Sequence, residues 1–445
     1  MRFTAAARRN GHAAWAVPEG AKTRPLGRLA SIVGGSAGNL VEWYDWYAYS
    51  ALTIYFAPVF FPKEDRTAQL LSAAAIFAVG FLVRPIGAWL MGAYSDRHGR
   101  KSGLALSVGL MAGGSLLIAV APTYASVGAF APAVLVVARM LQGLSVGGEY
   151  GASATYLSEL ATRDRRAFWA SFQYVTIIGG QLLALGLVVV LQLVMSEAHL
   201  QAWGWRVAFA VGALLALAVY LLRTKLAETP SFKNLAEDRP KSSISNLWQR
   251  HPREFLIVVA ITAGGSTAFY SYTTYMQKFL VNTSGLSRPS ATLVMTVALL
   301  VFMLIQPWWG MAADRWGRKP FLYLFGFGGM LVTIPVFTAI STASSALVAL
   351  GLLLIPLSLL GGYTAISGLV KAELFPAHIR TLGVAVPYAI GNSLFGGTAE
   401  FVALWFKQAG FEKGFYWYLT AVIGMAAVGF WMLPETKTTS LIEED

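Results

Sequence analysis

The feature that most constrains this chain is a recurrence of apolar runs about twenty residues long. Each is long enough to cross a hydrocarbon core of roughly 30 Å as an α-helix. The runs fall at 29–57, 69–92, 102–121, 131–157, 167–194, 205–223, 255–280, 290–312, 320–340, 344–370, 382–405 and 414–433. Proline, glycine or a charge cluster marks every gap between them, as turns between helices require. Of the 445 residues, 56% are hydrophobic and 13% charged. A soluble domain carries nearer 25% charge, so this chain has too little polar surface to cover a globule in water. The expected fold is an all-α integral membrane protein of twelve transmembrane helices.

The net charge of +12 would suit a polyanionic partner, but its placement argues for topology instead. Arg2, Arg8, Arg9, Lys22, Arg24 and Arg28 precede the first run. Arg97, Arg100 and Lys101 follow the second, and Arg163, Arg165 and Arg166 the fourth. A longer cluster from Arg223 to Arg253 follows the sixth, Arg315, Arg318 and Lys319 the eighth, and Lys371 and Arg380 the tenth. The alternate loops near 121–131, 196–204 and 340–345 carry no lysine or arginine, although Lys63, Arg66, Arg288, Lys407 and Lys413 lie in the others. This asymmetry is the positive-inside pattern, and it predicts cytoplasmic termini. Lipid is the expected surround, nucleic acid is not an expected partner, and the expected unit is a monomer. Residues 1–28 read as a cytoplasmic tail, because they are basic and lack the apolar core of a signal peptide.

A repeat divides the chain. Gly92-Ala-Tyr-Ser-Asp96-Arg97-His-Gly99-Arg100-Lys101 closes the second run, and Gly310-Met-Ala-Ala-Asp314-Arg315-Trp-Gly317-Arg318-Lys319 closes the eighth, 218 residues later. Glu159 to Arg165 and Glu373 to Arg380 repeat at a similar offset after runs four and ten. Two matched features at nearly one spacing imply parallel six-helix halves at 29–223 and 254–434. A linker at 224–253 joins them and a tail at 435–445 follows. Halves related this way place a solute path between them, with its site near the midplane.

Asp-Arg-x-Gly-Arg-Lys, present twice, resembles the hallmark loop of the major facilitator superfamily. Arg139-Met-Leu-Gln142-Gly143 resembles that superfamily's fourth-helix motif. The strings from Gly38 to Asp45, Phe81 to Gly87 and Gly147 to Gly151 are similar to the metabolite:proton symporter subfamily. Within it, the segments from Ala170 to Gln181, Thr273 to Lys278 and Lys371 to Pro376 look most like bacterial α-ketoglutarate permeases. The resemblance covers 29–434. It implies a multi-pass carrier of the bacterial inner membrane that imports a small dicarboxylate with protons by alternating access.

Ionisable residues inside the runs need a reason, since each costs at least about 2.5–3.5 kcal/mol at mid-bilayer. Arg84 lies twelve residues before Asp96, roughly 18 Å of helix, and its planar fork fits a carboxylate. It is a candidate substrate ligand, or else a structural partner for an acid of the first run. Glu42 and Asp45 stand three apart with Asn39 a turn earlier. Two close carboxylates that resist joint ionisation suit a proton carrier, and a purely neutralising role stands beside that reading. For Arg139 the resemblance implies a part in proton coupling. Glu149 is a further proton candidate, or an interhelix contact. Lys278, late in the seventh run, reads either as a residue snorkelling to the outer surface or, were that run interrupted near Gly264-Gly265, as a second carboxylate site. Glu400 has the same outer placing and a structural reading. Asn392 sits at mid-depth, and Gln173, Tyr47 and Tyr270 complete the candidate substrate contacts. Asp96, Arg97, Gly99 and Arg100, with Asp314, Arg315, Gly317 and Arg318, read as a cytoplasmic gate that latches the halves, because pure anchoring needs no aspartate.

No catalytic constellation or cofactor site emerges. His12, His98, His199, His251 and His378 are scattered over loops and tails, which gives no metal site. The glycines from Gly143 to Gly151 lie inside a run without a Walker lysine, and read as close helix contacts. An enzyme is therefore not expected. Within transport, another organic acid such as shikimate or citrate, or an osmolyte such as proline or betaine, stays open. A passive channel or membrane receptor is the alternative of another class.

Overall fold

The computed structural model describes residues 25–62, 65–98, 100–146, 150, 154–155, 157–158, 162–224, 244–376 and 379–442. Side chains are described from Asn39 onward, apart from those at 92–93, 95–105, 222–224, 244 and 246. Among the described residues the regular elements are helical. Span one is Pro25–Phe60, and span two is Arg66–Leu82 followed by Arg84–His98. Spans three to six begin as Arg100–Ala119, Phe130–Val146, Arg166–Val194 and Trp205–Thr224. Span seven runs through Pro252–Tyr270, a π-helical turn at Ser271–Tyr275, and Met276–Asn282. Spans eight to ten are Arg288–Trp316, Lys319–Ser341 and Ala346–Glu373. Span eleven joins Arg380–Gly391 to Ala399–Gln408 through a second π-helical turn at Asn392–Gly396, and span twelve is Lys413–Met432. A short helix, Ile244–Arg250, lies within the expected linker.

The packing repeats under a shift of six spans. Span one lies on five as seven lies on eleven, three on six as nine on twelve, and two on four as eight on ten. The two halves meet through five against eight and two against eleven, contacts that the same shift exchanges. This is the architecture of two parallel six-helix halves. Close crossings depend on small residues: a Cβ on Gly143 would stand 2.1 Å from the Gly80 carbonyl, where span four crosses span two. Gly310 plays the same part where span eight crosses span five, 2.7 Å from the Ala167 carbonyl.

The distribution of polarity is inverted relative to a water-soluble globule. Leu193, Leu331, Leu347, Trp308 and Trp431 face outward, as lipid contact favours. Glu42, Asp45, Arg84, Arg139, Lys278, Lys371, Glu373 and Glu400 are buried inside. Among the described residues eight helices are long and apolar enough to cross a membrane by themselves, and Leu106–Ala119 and Phe130–Val146 are shorter apolar helices. Spans one and eleven, which bring Glu42, Asp45, Asn392 and Glu400 inward, complete the twelve.

Candidate transport site

The site begins with a break in span two. Pro85 has no N–H to donate to Phe81, four residues earlier, so the helix is interrupted at Val83 and restarts at Arg84. The carbonyl released at Phe81 accepts a hydrogen bond of 2.7 Å from the Ser393 hydroxyl, which belongs to the π-helical turn of span eleven. One proline thus ties the halves together and sets the start of the segment that carries Arg84.

Arg84 is buried, with its guanidinium over the rings of Trp46 at 4.1 Å and Phe81 at 3.9 Å. It opens onto a pocket between the halves, lined also by Asn39, Glu42, Trp43, Tyr150 and Asn392. The Nε and one terminal nitrogen of Arg84 have no hydrogen-bond partner, nor do the amide oxygen and nitrogen of Asn392. A planar cation and an uncommitted carboxamide that share one cavity can receive a carboxylate. Tyr270 joins the wall from behind, stacked on Trp43 at 6.2 Å and edge-on to Phe81.

Glu42 and Asp45 do not form the joint carboxylate pair that their spacing suggests. Three residues leave the two side chains about 60° apart around the helix, and each acid meets different neighbours. Glu42 lines the pocket. Asp45 is enclosed, accepting 2.6 Å from the Ser115 hydroxyl and a second hydrogen bond from the Gln142 amide. Gln142 in turn accepts 2.6 Å from Arg139, so the amide bridges acid and base across spans one and four. Trp46, Tyr49 and Phe77 enclose the Arg139 guanidinium at 3.8, 4.6 and 5.1 Å.

Lys278 does not snorkel. It is fully buried, 2.9 Å from Glu400 and 2.6 Å from the Ser50 hydroxyl, which itself bonds Glu400 at 3.1 Å. The irregular turn of span seven lies at Ser271–Tyr275, whereas Gly264 and Gly265 are in regular helix against Ala426 and Tyr363. The pair therefore ties spans seven and eleven to span one, away from the pocket. Gln173 also lies elsewhere, its amide 3.4 Å from the Tyr150 carbonyl and packed where Gly368 leaves room. Tyr47 donates 2.6 Å to the Thr273 carbonyl and lies outside the pocket lining. Glu149 and Gly99, and the side chains of Asp96, Arg97 and Arg100, lie outside the described residues.

The repeated loop motif forms a described network at its second copy. Asp314 accepts 2.9 Å hydrogen bonds from the backbone N–H groups of both Ala167 and Phe168, at the N-terminus of span five. A carboxylate of one half thus caps a helix of the other, where the helix dipole favours negative charge. Arg318 lies 3.5 Å from Asp314 and 3.4 Å from Glu373. Glu435 accepts from the backbone N–H groups of Arg318 and Lys319 at 2.9 and 3.0 Å. Gly317 has φ +95°, and a Cβ there would stand 2.8 Å from Glu435. Arg315 extends its guanidinium toward the ring of Trp316 at 5.5 Å. Past Glu435 the chain continues as a strap: Arg380 donates 2.7 Å to the Leu441 carbonyl, and Arg166 of the first half reaches Ser440.

A sequence model of the Major Facilitator Superfamily matches residues 45–399. The chain belongs to that superfamily. It is 51% identical to the alpha-ketoglutarate permease of Escherichia coli (strain K12), covering 91% of this chain and 92% of the relative. It is 29% identical to the proline/betaine transporter of Salmonella typhimurium, over 89% of this chain and 81% of that one. Among solved structures it matches a D-xylose-proton symporter with a TM-score of 0.74 at 22% identity, covering 92% of this chain and 98% of the other. The fold and these superfamily relatives are those of multi-pass membrane transporters.

Trp46, Ser115, Tyr388 and Glu435 enter the site or its supports without having been singled out from sequence, and Gln142 and Tyr150 stood there only inside motifs, with no role assigned. Gln142 carried the clearest signal, as the amide inside the Arg139 motif. Lys371 was read as a topology marker after span ten, yet that helix extends to Glu373 and buries it.

Proposed function

We propose that the chain is a proton-coupled importer of a small dicarboxylate, with α-ketoglutarate the foremost candidate. It works by alternating access in a bacterial inner membrane with both termini cytoplasmic. The observation that carries this reading is Arg84, buried between the halves and facing a pocket with Glu42, Asn39 and Asn392. The name of the 51%-identical permease supports the substrate. The moving bodies are the halves at 29–223 and 254–434, joined by 224–253, and Asp314 is the latch that parts as the cytoplasmic side opens. Glu42 is the proton carrier: an anionic ligand beside Arg84 also meets Glu42, so protonation of Glu42 and binding of the anion favour each other. Importing a dianion against an inside-negative potential costs ~2.3 kcal/mol per charge per 100 mV, so at least two protons accompany each substrate.

The test is accumulation of labelled α-ketoglutarate in proteoliposomes under an inward proton gradient. The wild-type protein is expected to concentrate it, and Arg84→Ala to lose uptake by at least ~30-fold, the effect of removing a buried charge contact worth about 2 kcal/mol or more. Uptake opposed by the membrane potential, or undiminished in Arg84→Ala, contradicts the reading. One observation favours a second substrate class. A zwitterion would meet Arg84 with its carboxylate and ionised Glu42 with its cationic group, so labelled betaine belongs in the same assay.

A further inference from the structure

Lys371 is a buried lysine for which no described residue provides an anion. It is 1% exposed, and among the described residues no carboxylate lies within ion-pair distance of it. Glu373, two residues on, is turned to Arg318. The ammonium sits instead among tyrosines, 3.4 Å from the Tyr150 hydroxyl, with the rings of Tyr388, Tyr150 and Tyr363 at 4.7, 5.2 and 5.9 Å. Aromatic faces attract a cation, but more weakly than water solvates it, so the charge is held at a cost.

The position of the tyrosines gives that cost a purpose. Tyr150 and Tyr388 stack at 3.5 Å with their planes 5° apart, one ring from each half, and both line the pocket that holds Arg84. The same two rings therefore face Arg84's pocket and carry Lys371 against them. Lys371 lies two residues from the end of span ten, where Glu373 joins the Asp314 and Arg318 network, whereas Arg84 begins the fifteen-residue helix that ends at His98. The stacked rings thus touch the pocket of Arg84 on one side and Lys371 on the other.

Resting on the dicarboxylate reading above, we infer that Lys371 is a second anion station of the transport path, reached when the Tyr150–Tyr388 stack parts. A dicarboxylate can engage Lys371 with one end before the other releases Arg84. A monocarboxylate cannot, so the station favours dicarboxylates at the cytoplasmic face.

The experiment compares uptake of labelled α-ketoglutarate into right-side-out and inverted membrane vesicles, which present opposite faces of the carrier. Lys371→Gln is expected to raise the half-saturating concentration about tenfold in inverted vesicles, a loss of one tenfold step in binding, and to change it less than about threefold in right-side-out ones. Lys371→Arg is expected to restore it. Equal shifts at both faces, or no shift at either, overturn the inference. Should Lys371→Gln fail to reach the membrane, Lys371→Arg and Tyr388→Ala decide. Removing one leaf of the stack is expected to speed exchange in inverted vesicles, and an unchanged rate overturns the gate. Wild-type vesicles that carry no dicarboxylate overturn both this inference and the reading beneath it; wild-type transport with Lys371→Gln unaffected overturns this one alone.

Discussion

Two buried arginines lie over one tryptophan. Arg84 stands 4.1 Å from the Trp46 ring and Arg139 3.8 Å from it, yet their surroundings differ. Arg139 is tied through Gln142 to Asp45, and Ser115 bonds Asp45 in turn, so the charges are answered within the protein. Both arginines leave Nε and one terminal nitrogen without a hydrogen-bond partner, but Arg84 lines a pocket and Arg139 does not. Burial alone therefore does not mark a binding residue. What marks it is the cavity beside the unfilled donors, because a buried donor without a partner is costly until a ligand arrives, and a ligand can reach only the guanidinium that lines the pocket.

That contrast can be broken by experiment. The largest effect is expected on stability: Arg139→Ala leaves Asp45 buried without its charge partner and should cost about 3–5 kcal/mol, read as a lowered unfolding transition in detergent. Arg84→Ala, which opens no closed network, should cost at most ~2 kcal/mol, and equal losses would erase the distinction. Next in size is the proton. Uptake by wild type should rise as external pH falls, because protonated Glu42 tolerates the anion. Glu42→Gln should flatten that dependence while labelled exchange persists. Asp45→Asn should leave the pH profile in place, and a flat profile there would move the proton to the closed network. The smallest effect is expected for Trp46→Leu. Each arginine would lose one cation–π contact worth about 0.5–2 kcal/mol, so affinity and unfolding temperature should fall together. If only one falls, the shared ring serves one arginine.

Position along each helix was legible in the sequence; rotation about each helix axis was not. Counting back from Asp96 put Arg84 at mid-span, and the same arithmetic put Asn392 there; both line the pocket. Apolar runs and the repeated loop were enough for twelve spans in two parallel halves. Azimuth depends on which spans touch, and that emerges only when Gly80 meets Gly143 or Ser393 meets the Phe81 carbonyl. So Lys278 seemed to belong to the outer surface, although Glu400, 122 residues later, holds it inside. Glu42 and Asp45 seemed a pair for the same reason. Lys371 looked like one more positive charge near a helix end, and only its neighbours reveal that it is enclosed.

The strap from Glu435 to Ile442 has a consequence for how the protein is made. Glu435 completes the turn after span eight, Leu441 occupies Arg380 and bonds the Glu373 carbonyl, and Ser440 meets Arg166. These residues leave the ribosome after every span has been synthesised. The contacts that bind the ends of spans five, eight, ten and eleven at one face therefore close last. A nascent chain that stops before Glu435 has these helices but lacks the clasp that joins their ends.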